Sequence, residues 1–158
     1  MKFTFVKIFF CFSLISCHTS NNREVEELYG QFPNPKSSVI IYLSQTNHIE
    51  LTQCTAETRD DSIFFRLTDS LSGYELNVLK VNNYLSAELN QQFSITDSSY
   101  KKPVFAVIEQ TLKLSKDSLV KGDELKGFLN LKVSVLHRGE ELSLDTISIA
   151  GLIYAPLK

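Results

Sequence analysis

Residues 128–136 place Leu129, Leu131, Val133 and Val135 on one side of the chain and Asn130, Lys132 and Ser134 on the other. A period of two belongs to a half-buried β-strand, because successive side chains leave a pleated backbone on opposite faces. The same reading recurs along the chain. Residues 39–43 (Val-Ile-Ile-Tyr-Leu) are β-branched and aromatic, which suits a pleated surface. Ile49, Leu51 and Gln53 alternate with Glu50, Thr52 and Cys54. Residues 62–68 and 74–81 flank Asp69-Ser70-Leu71-Ser72-Gly73, which reads as a hairpin connection. A short strand is expected at 93–96, and a long one at 104–114 with Ala106, Ile108, Gln110, Leu112 and Leu114 on one face. His137-Arg138-Gly139-Glu140 turns the chain into strands at 142–148 and 149–154, with Gly151 a candidate bulge. Helical spacing is scarce: residues 82–92, with Tyr84, Leu85 and Leu89, read as a short helix or a loop turn.

About eight strands at spacings near ten residues, separated by Gly, Asn, Asp and Ser, define a mainly β chain. One polar and one apolar face per strand favours an antiparallel sandwich of two sheets, and the expected connectivity is immunoglobulin-like. With 158 residues and 43% hydrophobic content the chain can bury one core, and one domain is expected over 38–158.

The N-terminus follows different rules. Lys2 and Lys7 precede Ile8-Phe9-Phe10-Cys11-Phe12-Ser13-Leu14-Ile15, and the apolar run collapses at once into Cys17-His18-Thr19-Ser20-Asn21-Asn22. It is shorter than the ~20 apolar residues that a helix needs to cross a bilayer, and it has the order of a secretory signal. Leu14-Ile15-Ser16-Cys17 resembles the lipobox of bacterial lipoproteins: an aliphatic residue three places before the cysteine and a small residue directly before it. The resemblance implies that residues 1–16 are a cleaved signal peptide. It further implies that the Cys17 thiol takes diacylglycerol and that the chain is held to a membrane by lipid.

Cleavage would leave 14 basic against 18 acidic residues, a net charge of −4, and Cys54 as the one thiol without lipid. The acidic balance argues against nucleic acid as a partner. In the lipoprotein resemblance, His18 stands where Asp marks inner-membrane retention, which implies the outer membrane. Acids begin only at Glu24, so the cluster found in surface-exported lipoproteins of Bacteroidota is missing, which favours a periplasm-facing protein. Residues 17–37 read as the lipid-bearing cysteine and a flexible tether. They are polar at 19–22 and broken by Phe32-Pro33-Asn34-Pro35, and a helix at 23–29 would be marginal at that length.

Chemistry-bearing patterns are few. Gly122-Asp123-Glu124-Leu125-Lys126-Gly127 has the glycine spacing of a phosphate loop, but Phe128-Leu129 follow where Lys and Ser/Thr are required, so it reads as a turn feeding a strand. With residues 104–136 this turn resembles small uncharacterised lipoproteins of Bacteroidota, a resemblance that implies no activity. His18, His48 and His137 have no second ligand at metal spacing, so neither metal nor cofactor is expected. Asp60-Asp61 reads as an exposed turn, and Cys54 as a small buried hydrophobe.

Four of the seven aspartates are followed by Ser or Thr and then an aliphatic residue, at Asp61-Ser62-Ile63, Asp69-Ser70-Leu71, Asp117-Ser118-Leu119 and Asp145-Thr146-Ile147. These triplets resemble the O-glycosylation motif of exported Bacteroidota proteins, which makes Ser62, Ser70, Ser118 and Thr146 candidate acceptors. Asp-Ser turns leading into apolar strands produce the same triplet for folding reasons alone.

The functional expectation is a non-enzymatic, membrane-anchored binding or scaffold module of the cell envelope, whose partner is another envelope protein or a glycan. The alternative is an inhibitor of an envelope hydrolase, or a small envelope enzyme. Ser72-Gly73-Tyr74 resembles the Ser-Gly loop of lysozyme inhibitors, although their second motif and disulfide are missing here.

Overall fold

The computed structural model describes residues 20–31, 35–92, 102–116, 118–138 and 142–158. The expected signal peptide, Cys17 and the expected strand at 93–96 lie outside them. Among the described residues the chain forms one helix, α1 (Ser20–Gly30), and nine strands: β1 (Ser38–Tyr42), β2 (His48–Leu51), β3 (Gln53–Arg59), β4 (Ser62–Thr68), β5 (Tyr74–Val81), β6 (Tyr84–Gln91), β7 (Val104–Leu114), β8 (Glu124–Arg138) and β9 (Leu142–Pro156).

The strands form two antiparallel sheets, a five-stranded one of order β2-β1-β9-β8-β7 and a four-stranded one of order β3-β4-β5-β6. The protein is a β-sandwich. The alternation read in 128–136 selects the core: Leu129, Leu131, Val133 and Val135 are all buried. They meet Phe65, Leu67, Leu76 and Val78 of the other sheet in one apolar cluster. Each such side chain contributes roughly 1.5–3 kcal/mol on burial.

Immunoglobulin-like connectivity is not confirmed. Every pairing but β1–β9 joins strands consecutive in sequence, so the order is a meander rather than the Greek key of that fold. Two-residue turns at 60–61 and 82–83 join β3 to β4 and β5 to β6, and connections this short leave neighbouring strands no choice but to pair. The sheets are hydrogen-bonded to each other on two sides. On one, the Lys158 N–H donates to the Ala56 carbonyl, and the Thr58 N–H donates to that of Lys158. On the other, Gln110 Nε2 of β7 donates to the Leu85 carbonyl of β6.

Several local expectations are corrected. Residues 82–92 form a turn and then β6, in which Leu85, Ala87 and Leu89 share the core-facing side. The alternation at 49–54 belongs to two strands, since the chain leaves one sheet after Leu51 and enters the other at Gln53. In β7 a bulge between Val107 and Glu109 reverses the phase. Phe105 and Val107 face the core before it, Leu112 and Leu114 after it, and Ile108 is 53% exposed.

Residues 142–154 form a single strand with continuous register through Gly151, so there is no bulge there. Part of the expected tether is helical: Val25 and Tyr29, one turn apart on α1, are 1% and 4% exposed. Packing against the sheet supplies what an isolated helix of this length lacks.

Candidate functional site

Two hairpin turns lie side by side at one end of the four-stranded sheet because Ser62 of β4 pairs with Val81 of β5. Asp60-Asp61 closes β3–β4 and Asn82-Asn83 closes β5–β6, with Asp60 and Asn82 at positive φ (51° and 50°). Asp and Asn tolerate that conformation better than other non-glycine residues. The connection from β7 to β8 crosses the same end and inserts Leu119, 8% exposed, beside Ile63. It is pinned by Asp123, whose carboxylate accepts from the Val120 N–H (3.0 Å) and Lys116 Nζ (3.4 Å). Those bonds, the first above all, hold its pKa below the usual carboxylate range.

Between these elements lies a cleft of about 290 Å³ lined by Asp60, Asp61, Ser62, Ile63, Lys80, Asn82, Ser118, Leu119 and Val120. A second cleft of about 340 Å³ shares Lys80 and Asn82 with it and follows the β6–β7 seam past Tyr84 to Gln110. Lys80 occupies a core-facing position of β5, two residues beyond Val78. Its stem runs outward and Nζ donates to the Asn82 carbonyl at 2.7 Å. The Ser62 hydroxyl donates to the Arg59 carbonyl at 2.6 Å.

The first cleft therefore offers two carboxylates, an ammonium, two hydroxyls and an amide. These groups can hydrogen-bond a hydroxyl-rich ligand, and no imidazole or thiol is among the described residues that line the cleft.

The structure brings two of the four triplets together, since Ser62 and Ser118 line this cleft. The other two lie elsewhere. Thr146 sits mid-strand on β9 opposite Ser134. Ser70 lies in the β4–β5 connection at the far end of the same sheet, where the Asp69 carboxylate accepts from the N–H groups of Ser72 (2.8 Å) and Leu71 (3.2 Å). The Ser72 N–H is the main reason that the Asp69 pKa is lowered.

The aliphatic member of the triplet is buried at Ile63, Leu119 and Ile147 but 92% exposed at Leu71. Burial explains the first three and leaves the fourth without a packing reason. In the same connection Gly73 (φ 70°) is required by the fold, because a Cβ there would lie 2.5 Å from the Gln92 carbonyl oxygen.

His48 begins β2 as expected, whereas His137 is still within β8 and pairs with Asp145 at 3.1 Å on the surface. Cys54 is a free, half-buried thiol whose pKa burial pushes up to about 11, opposed in part by a hydrogen bond from Ser37. That is the signature of an unreactive cysteine. The turn expected at 122–127 ends at Asp123, and Glu124–Gly127 already belong to β8, paired with β9. The reading of the sequence missed Lys80 and Asn82, although a lysine at a core-facing position of β5 was a visible signal.

The chain matches no protein-family model, no curated protein and no solved structure at a significant level. The fold class, a two-sheet antiparallel β-sandwich, is thus defined by the strand order alone.

Proposed function

We propose that this chain is a lipid-anchored cell-envelope protein whose sandwich serves as a binding or scaffold module for another envelope protein or a glycan. The observation that carries the anchor is Leu14-Ile15-Ser16-Cys17 at the end of a charged-then-apolar start. Support for binding rather than catalysis comes from the polar cleft, where Lys80 and Ser62 are engaged by backbone carbonyls. His18 and the late acids favour the outer membrane and a periplasm-facing protein. Metabolic labelling with a fatty acid tests the anchor: the wild type takes up label and Cys17→Ala does not. Equal label in both would end this reading.

A further inference from the structure

Resting on the lipid-anchor reading, we infer that the end of the β7–β8–β9 outward face that α1 leaves uncovered lies against the membrane surface, with Val104, Ile108, Leu136 and Leu144 as its apolar contact. Only three residue steps separate Cys17 from Ser20, where α1 begins, and three residues span at most about 10 Å. The helix that follows is fixed to the sandwich. Val25 and Tyr29 are buried, and the Tyr29 hydroxyl reaches the carbonyl oxygens of Gly127 and Ile153. An acyl chain on Cys17 therefore draws the whole body to the bilayer.

The direction of α1 decides which side faces down. Its C-terminal end meets β8 and β9 at Gly127, Ile153 and Tyr154. Val25, one turn before Tyr29, and the adjacent Leu28 lie beside Thr111, Lys113, Phe128 and Asn130. Towards its N-terminus the helix thus advances across the outward face towards β7 and up the numbering of β8. On that course lie the positions where exposed apolar side chains collect.

Val104 pairs with Leu136 and Leu136 with Leu144, so the three share one row of the outward face. Ile108 joins that face because the β7 bulge sets Ile108 and Glu109 together opposite Lys132. Leu144 is 70% exposed and Val104 41%. Glu109 and Lys132, 3.2 Å apart, neutralise each other on the same face. That matters for a mature chain of net charge −4 meeting anionic lipid. Side chains standing off a strand reach the depth at which interfacial apolar groups settle, roughly 5–10 Å.

The test uses the full lipidated chain in phosphatidylethanolamine–phosphatidylglycerol vesicles containing a doxyl-quencher lipid. An environment-sensitive fluorophore is attached to Leu144→Cys or, on the other sheet, to Leu71→Cys; the wild type, with Cys54 alone, gives the background. Both sites are exposed enough to accept the change. The label at 144 is expected to shift to the blue and lose intensity to the quencher, and the label at 71 to do neither. Vesicle-bound protein with no quenching at 144, or with equal quenching at both sites, overturns the orientation and leaves the anchor standing. A second copy covering this face would give that first result, a shielded label without quenching. Failure of the chain to bind vesicles at all would remove the anchor reading and the orientation with it.

Discussion

A Cβ on Gly151 would lie 2.0 Å from the Ser38 carbonyl oxygen and 2.7 Å from Cα of Val39. The absent side chain is what allows β1 to pair with β9, among the described residues the one within-sheet neighbour pair of strands distant in sequence. Gly151→Ala is expected to cost about 3 kcal/mol or more, since backbone rather than a flexible side chain must move; urea denaturation measures it. Ser70 differs from the other three candidate acceptors. Its triplet is the only one of the four whose aliphatic residue, Leu71, is left in solvent. If the triplets are acceptors, Ser70 stands on an exposed connection beside Leu71, and intact-mass spectrometry of the native protein should show a glycan increment that Ser70→Ala removes. A bare polypeptide mass in both would dismiss it.

Helix α1 and strand β7 show what separates an element's existence from its placement. α1 has modest intrinsic stability, and Tyr29 holds it by burying a ring and a hydroxyl against β8 and β9. Desolvation, the largest cause, raises the pKa of that phenol well above its ordinary value, as burial raises that of Cys54 to about 11. Both groups are neutral when protonated, and both bind the proton more tightly folded than unfolded. Their contribution is therefore complete at neutral pH and is lost as pH climbs past about 8.5 to 10, where the unfolded side chains ionise. Tyr29→Phe should lower stability at pH 7 by about 1 kcal/mol and remove the steeper, tyrosine part of the alkaline loss. Denaturation midpoints across pH 7–11 would show it, and an unchanged alkaline profile in the variant would disprove it. In β7 one extra residue at the bulge reverses which side faces in. Alternation read from residues alone then picks the wrong face for half the strand, as it did for Ala106 and Ile108.

For the whole molecule, one apolar cluster spans both sheets and the free cysteine is not part of any cross-link among the described residues. Unfolding of the mature chain is expected as a single cooperative transition, identical with and without reductant; two transitions, or a midpoint that moves on reduction, would contradict it. The amino-acid sequence by itself determined that the chain is β, where β4, β5 and β7 begin and end, and which side of β8 is buried. Those properties follow from local alternation and turn chemistry, which each segment carries within itself. It did not determine the strand order, because a meander and a Greek key demand the same alternation from every strand. Nor could it show that a short amphipathic stretch before Pro33 would find a face to pack on, or that Lys80, Ser62 and Ser118, up to 56 positions apart, would line one cleft. Those were decided by long-range pairing, β1 on β9 and two hairpins set side by side, whose free energy exists only once the sheets have formed.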